Sequence, residues 1–160
     1  MIVHDEEPRS QTIPIIDPAF RIVSLAPRPH LFVALECGRP LAGTARHALA
    51  DVDEVVIGRG PAKSVRRAES GGVRQVHLRI PDRRMSSIHA RITRRGDLFQ
   101  LVDAASRNGS FVNGCRASSA GLLDGDVVEL GATLFVFRSA LLTPRDAAAD
   151  VEGDAARSER

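Results

Sequence analysis

"QVHLRIPDRRMSSIHARITRRGDLFQLVD", Gln75 to Asp103, contains three apolar runs and the polar stretches that separate them. In the first run Val76, Leu78 and Ile80 alternate with His77 and Arg79, the period of a strand with one face in a core. "HARITRR" (89–95) and "LFQLVD" (98–103) are rich in β-branched and aromatic residues and are joined by Arg95-Gly96-Asp97, a turn whose glycine accepts positive φ. None of the three carries apolar residues at helical spacing. The stretch therefore predicts strands joined by turns and loops.

Reading outward gives the same pattern. "LFVALE" (31–36), "EVVIG" (54–58), "VVELG" (127–131) and "TLFVFR" (133–138) read as further short strands, with Asn108-Gly109, Asn113-Gly114 and Asp124-Gly125-Asp126 as turns between them. Short strands at this spacing predict an all-β sandwich or barrel. Residues 30–139 form the expected domain. Residues 1–29 carry Pro8, Pro14, Pro18, Pro27 and Pro29 and read as an extended proline-rich arm. Residues 140–160 offer little apolar bulk to bury and read as a mobile polar tail.

Composition narrows the function. With 22 basic and 20 acidic side chains in 160 residues the formal charge is only +2, so any anion recognition must be local. The start, "MIVHDEEPRS", is acidic and polar where a signal peptide needs a basic start and an apolar run, and no apolar run approaches membrane-spanning length. These features predict a cytoplasmic protein. The two cysteines, Cys37 and Cys115, have no C-x-x-C spacing and read as free thiols. The five histidines show neither H-E-x-x-H nor a pair at metal-ligand spacing, and there is no G-x-S-x-G elbow. No catalytic residue, metal or cofactor is expected.

One segment imitates a nucleotide loop. In "VVIGRGPAKS" (55–64) a strand runs into Lys63-Ser64, but Ala62 stands where a P-loop needs its second glycine and Ile57 where it needs its first. Pro61 also removes an amide that would cradle phosphate. Three loop segments nevertheless share one chemistry. Gly58-Arg59 ends a strand, Arg83-Arg84-Met85-Ser86-Ser87 precedes one, and Ser106-Arg107-Asn108-Gly109-Ser110 links two; none contains an acidic residue. Guanidinium groups, hydroxyls and turn amides are the donors that bind a dianion.

Taken in order, "VVIGRG", "MSSIHARI", "LVDAASRNGSFVNG" and "LLDGDVVELG" resemble the forkhead-associated (FHA) domain over roughly residues 30–139. The resemblance implies an eleven-stranded β-sandwich whose end loops bind phosphothreonine in a partner protein. It also implies roles: Arg59 pairs with the phosphate, Ser86 sits beside it, Asn108 holds the peptide backbone, and Arg84 selects a residue beyond the phosphothreonine. Ser87 and Arg107 are further candidate contacts. His89 braces the serine loop from below, Gly58 and Gly109 let the loops turn, and Asn113 holds a turn. Ser87 and Arg107 depart from the family's usual residues at their positions, and "PAKSVRRAESGGVRQ" (61–75) inserts an arginine-rich hairpin or loop. "IPDRRMSSIHARI" and "LLDGDVVELGATLFVFR" are most similar to FHA domains at the N-terminus of bacterial enhancer-binding transcription activators.

The expectation is a module that reads phosphothreonine downstream of a serine/threonine kinase, with a bearing on transcription. Two alternatives stand beside it. A phospho-independent docking or self-association module would use the sandwich face and the apolar pieces "IPII" and "FRIV". Nucleic-acid binding would use the doublets Arg66-Arg67, Arg83-Arg84 and Arg94-Arg95, without any Trp or Tyr for base stacking. The expected partner is thus a protein, with no direct nucleic acid and no membrane, and the oligomeric state is left open.

Overall fold

The computed structural model describes residues 14–16 and 22–153. Its chain order is β1 (Pro14–Ile16), β2 (Ile22–Glu36), β3 (Ala45–Ala48), β4 (Glu54–Arg59), β5 (Ser64–Ser70), β6 (Val73–Ile80) and β7 (Ala90–Arg95), then β8 (Leu98–Asp103), β9 (Ser110–Val112), β10 (Cys115–Arg116), β11 (Ser119–Leu122), β12 (Val127–Leu130), β13 (Thr133–Pro144) and β14 (Asp150–Glu152). The larger sheet runs β10-β9-β12-β13-β2-β3-β14, with β1 on the outer end of β2; the smaller runs β11-β8-β7-β4-β6-β5. All pairings are antiparallel except β4 with β6. The fold is the expected all-β sandwich, with fourteen strands among the described residues instead of eleven.

Alternation builds the core between the sheets. Val76, Leu78 and Ile80 from β6 meet Val55 and Ile57 from β4, Ile92 from β7 and Leu101 from β8, and these pack with Leu31, Val33, Phe135 and Phe137 of the larger sheet. Each of these side chains is almost fully withdrawn from water, and burying one contributes roughly 1.5–3 kcal/mol. The ring centroids of Phe99 and Phe137 lie 5.1 Å apart.

Both expected domain boundaries fall inside strands. β2 begins at Ile22 and its first half pairs with the second half of β13, Arg28 against Leu141 and Leu25 against Pro144. The proline-rich reading of 1–29 therefore fails from residue 22 onward. Pro29 is tolerated because the register shifts between Arg138 and Leu141: Pro29 alone stands opposite Ser139 and Ala140, a bulge, where a missing amide costs no ladder bond. The tail reading of 140–160 fails likewise, since β13 continues to Pro144 and β14 pairs with β3, Asp150 against His47. The remainder of the arm (1–13 and 17–21) and residues 154–160 lie outside the described residues. The inserted segment is a hairpin, in which β5 turns at Gly71-Gly72 into β6.

β14 is held by a cluster in which the buried His47 ring meets Asp150 Oδ1 at 2.8 Å and Arg67 grips the same carboxylate from the other sheet, Nε to Oδ2 at 2.7 Å and Nη2 to Oδ1 at 2.9 Å. Burial lowers the pKa of His47 below the ordinary 6.5, with Asp150 opposing it. Burial also lowers that of His30, against a backbone bond to Arg28. Both rings are thus more easily protonated when the chain is unfolded. Their contribution to stability is complete above the unfolded pKa, about 6.5, and is lost as pH falls through the lower folded values, because the unfolded state then binds more protons. The urea midpoint should therefore drop as pH falls from neutrality into the mildly acidic range, and His47→Gln combined with His30→Gln should flatten that dependence.

Candidate functional site

The three loops that share donor chemistry converge because of strand direction. β4 and β6 run parallel, and β8 lies antiparallel to β7, itself antiparallel to β4, so the C-terminal ends of β4, β6 and β8 point to one end of the sandwich. There a cleft of about 210 Å³ is lined by Arg59, Arg83, Arg84, Met85, Ser86, Ser87, Arg107 and Asn108. Four of the eight are arginines and none is acidic. Six are residues that the sequence puts forward as contacts; Arg83 joins them, and Met85 anchors the loop with its side chain almost fully in the core.

Arg59 is fixed at its backbone, where its amide donates to the Ser86 carbonyl at 2.8 Å. Its side chain is exposed and makes no hydrogen bond or ion pair among the described residues. Ser86 Oγ accepts the Arg107 amide at 3.1 Å, which leaves its own proton for an acceptor in the cleft. Asn108 Nδ2 donates to the Arg84 carbonyl at 2.6 Å, so the amide first ties the second loop to the third, and its Oδ1 accepts no hydrogen bond among the described residues. Below them lies His89, fully buried. Its Nδ1 accepts the Ser86 amide at 3.1 Å and its Nε2 donates to the Gly109 carbonyl at 3.0 Å, an arrangement that puts the ring proton on Nε2.

The two glycines act differently. Gly109 has φ +80° and makes a turn. Gly58 does not: it lies within β4 with no positive φ. A Cβ there would stand 2.7 Å from the Ser87 carbonyl carbon and 2.9 Å from Arg79 Nη1, and closer still to the Ser87 oxygen. Its role is to let the serine loop lie against the strand. Asn113 stands away from the cleft in the β9–β10 turn, with φ 51°; Oδ1 accepts the Val127 amide at 2.9 Å and Nδ2 donates to Asp126 at 2.8 Å.

Three supporting residues escape the sequence reading. Asp82 Oδ1 accepts the Arg84 amide at 2.8 Å, while Oδ2 accepts the Ala132 amide at 2.7 Å and the Thr133 hydroxyl at 2.9 Å, pinning the serine loop to the other sheet. Arg79 Nη1 donates to the Ser87 carbonyl. Asp103 gathers the third loop: Oδ1 accepts the hydroxyls of Ser106 and Ser110, each at 2.6 Å, and Oδ2 accepts the Ser106 amide at 2.9 Å. Burial pushes the Asp103 carboxyl up, but these donors outweigh it and hold it below its usual range. An aspartate two or three residues before the amide it caps was the available signal for Asp82 and Asp103.

Residues 55–131 match the family model of the FHA domain. A 58-residue stretch is 36% identical to an oxoglutarate dehydrogenase inhibitor from Corynebacterium jeikeium, spanning 36% of this chain and 40% of that protein. The match thus covers well under two thirds of the curated relative's length. The fold is similar to the FHA domain of an Arabidopsis thaliana hypothetical protein, at 20% identity, TM-score 0.51, and coverage of 88% of this chain and 100% of that one. It is also similar to an FHA domain solved in an analysis of phosphothreonine-dependent FHA domain interactions, at 27% identity, TM-score 0.49, and coverage of 69% and 95%.

Proposed function

Because residues 55–131 match the family model of the FHA domain, we propose that this protein is a phosphothreonine-peptide-binding interaction module in bacterial serine/threonine-kinase signalling. The observation that carries the proposal is the cleft, where Arg59, Arg83, Arg84 and Arg107 surround Ser86 and Asn108 with no carboxylate among the lining residues. A phosphothreonine brings about −1.5 to −2 charges and three acceptor oxygens, and an arginine fork meets two of them together. Two or three charge-assisted bonds of roughly 1.5–3 kcal/mol each are offset in part by the ordering of the peptide, so binding near micromolar, about −8 kcal/mol, also draws on contacts to the peptide backbone such as that of Asn108. That strength suits a reversible signal.

In this reading Arg59 and the Ser86 hydroxyl hold the phosphate, with Ser87 and Arg107 beside them. Asn108 Oδ1 accepts a peptide amide, and Arg84 faces residues beyond the phosphothreonine. The similarity to an oxoglutarate dehydrogenase inhibitor fits a module that acts by docking on another protein. Membership of the enhancer-binding activator group, and with it a role in transcription, rests on "IPDRRMSSIHARI" and "LLDGDVVELGATLFVFR" alone; phosphopeptide reading does not require it. Fluorescence anisotropy with a degenerate phosphothreonine library, its unphosphorylated twin and a phosphoserine version tests the proposal. Micromolar binding confined to the phosphothreonine set is expected, and no binding by folded protein would overturn it.

A further inference from the structure

The larger sheet turns an apolar face away from the core. Register fixes two neighbouring rows on it. In the first, Val127 pairs with Val136, Val136 with Phe32 and Phe32 with Arg46. In the second, Leu35 pairs with Leu134, Leu134 with Glu129 and Glu129 with Phe111. The residues that alternate with these, among them Leu31, Val33, Val128, Phe135 and Phe137, fill the core, so both rows point outward. Leu35 and Val127 are 39% and 37% exposed.

Two charges on this face flank its apolar centre. Arg46 lies on β3, one strand outside β2, and Glu129 lies on β12, one strand outside β13, with Phe32, Leu35, Leu134 and Val136 on the two strands between. Neither charge makes an ion pair or a side-chain hydrogen bond among the described residues, and Arg46 Nε is buried without a partner.

We propose that this face is a self-association surface that takes a second copy of the chain about a two-fold axis running along the strands between β2 and β13. Such an axis exchanges β3 with β12 across the interface. Arg46 of each copy then meets Glu129 of the other, twice, around a centre in which the apolar side chains of β2 and β13 cover each other. An isologous contact of this kind needs a self-complementary patch, and a net pair of opposite charges flanking an apolar centre is one. The two charges sit one row apart, about 7 Å along the strand, a step within the reach of an arginine stem. Stacked sheets lie about 10 Å apart with their strands nearly aligned, so no rearrangement of the sandwich is needed. Because the axis follows the strands, both clefts open at the same end of the dimer, and a partner phosphorylated at two sites could engage both.

The surface is independent of the cleft, so its test stands apart from phosphopeptide binding. Sedimentation equilibrium of the full chain, from micromolar to sub-millimolar, should show the mass rising from 17.2 kDa toward twice that value. Arg46→Glu and Glu129→Arg should each remain monomeric, since each brings like charges together at both contacts. An equimolar mixture of the two variants should recover the dimer, because every contact again pairs opposite charges. Val136→Glu should abolish association in the wild-type background, and circular dichroism serves as the check on folding for all variants. A wild-type protein monomeric throughout, a dimer indifferent to the charge variants, or a mixture that stays monomeric would each overturn the proposal.

Discussion

Arg59→Ala is expected to weaken binding of a phosphothreonine peptide by about 100-fold, the loss of roughly 3 kcal/mol. The backbone of Arg59 is held by the Ser86 carbonyl, which survives the substitution, so the serine loop should stay in place. What disappears is an exposed guanidinium that no other described side chain engages, and with it two charge-assisted bonds to phosphate. Arg83, Arg84 and Arg107 remain around the cleft and keep part of the Coulombic attraction, which is why the loss stops short of complete. Arg59→Lys separates charge from geometry: it retains the cation but not the fork, and should cost about tenfold. Anisotropy titrations of both variants, with urea midpoints beside the wild type, check the result. Affinity within a factor of about two of wild type for Arg59→Ala would remove Arg59 from the site and shift the phosphate to the other three arginines.

The strands that could be read from the sequence are those whose own residues carry the pattern. β6, β7 and β8 each bury one alternating row and need no neighbour to be recognised. β3, "ARHA", has little β-propensity and is a strand because β2 and β14 pair it on either side and it buries Ala45 and His47. β11, "SAGL", exists only as the partner of β8. The ends of β2 and β13 were hidden for a related reason. Proline density argues against regular structure locally, and the bulge that accommodates Pro29 is a property of two distant segments together. The cleft was more legible than the frame, since its donors cluster in three short loops. What holds those loops was less so: Asp82 reaches Thr133, fifty-one positions away in the chain, and Gly58 reads as a turn residue until the backbone lying against it is seen.

His89→Ala should be the most damaging single change at the site, lowering stability by about 3–5 kcal/mol. His89 bonds both the serine loop and the asparagine loop from below, through the Ser86 amide and the Gly109 carbonyl. Its removal leaves the half-buried Ser86 amide and the buried Gly109 carbonyl without these partners, at up to about 1–3 kcal/mol each, and opens a void where an imidazole was packed. His89→Gln refills part of the void but presents a flexible amide that cannot span the same two partners with a rigid ring's geometry, and should recover only a fraction. The second consequence is functional. Ser86 and Asn108 reach the cleft from different loops, so loosening the brace should weaken phosphopeptide affinity even at temperatures where the variant remains folded, while Arg59→Ala weakens affinity and leaves stability intact. Urea denaturation with peptide titration on the same samples separates the two behaviours. A His89→Ala protein as stable as wild type would mean that the two loops are held by Asp82, Arg79 and Asp103 without it.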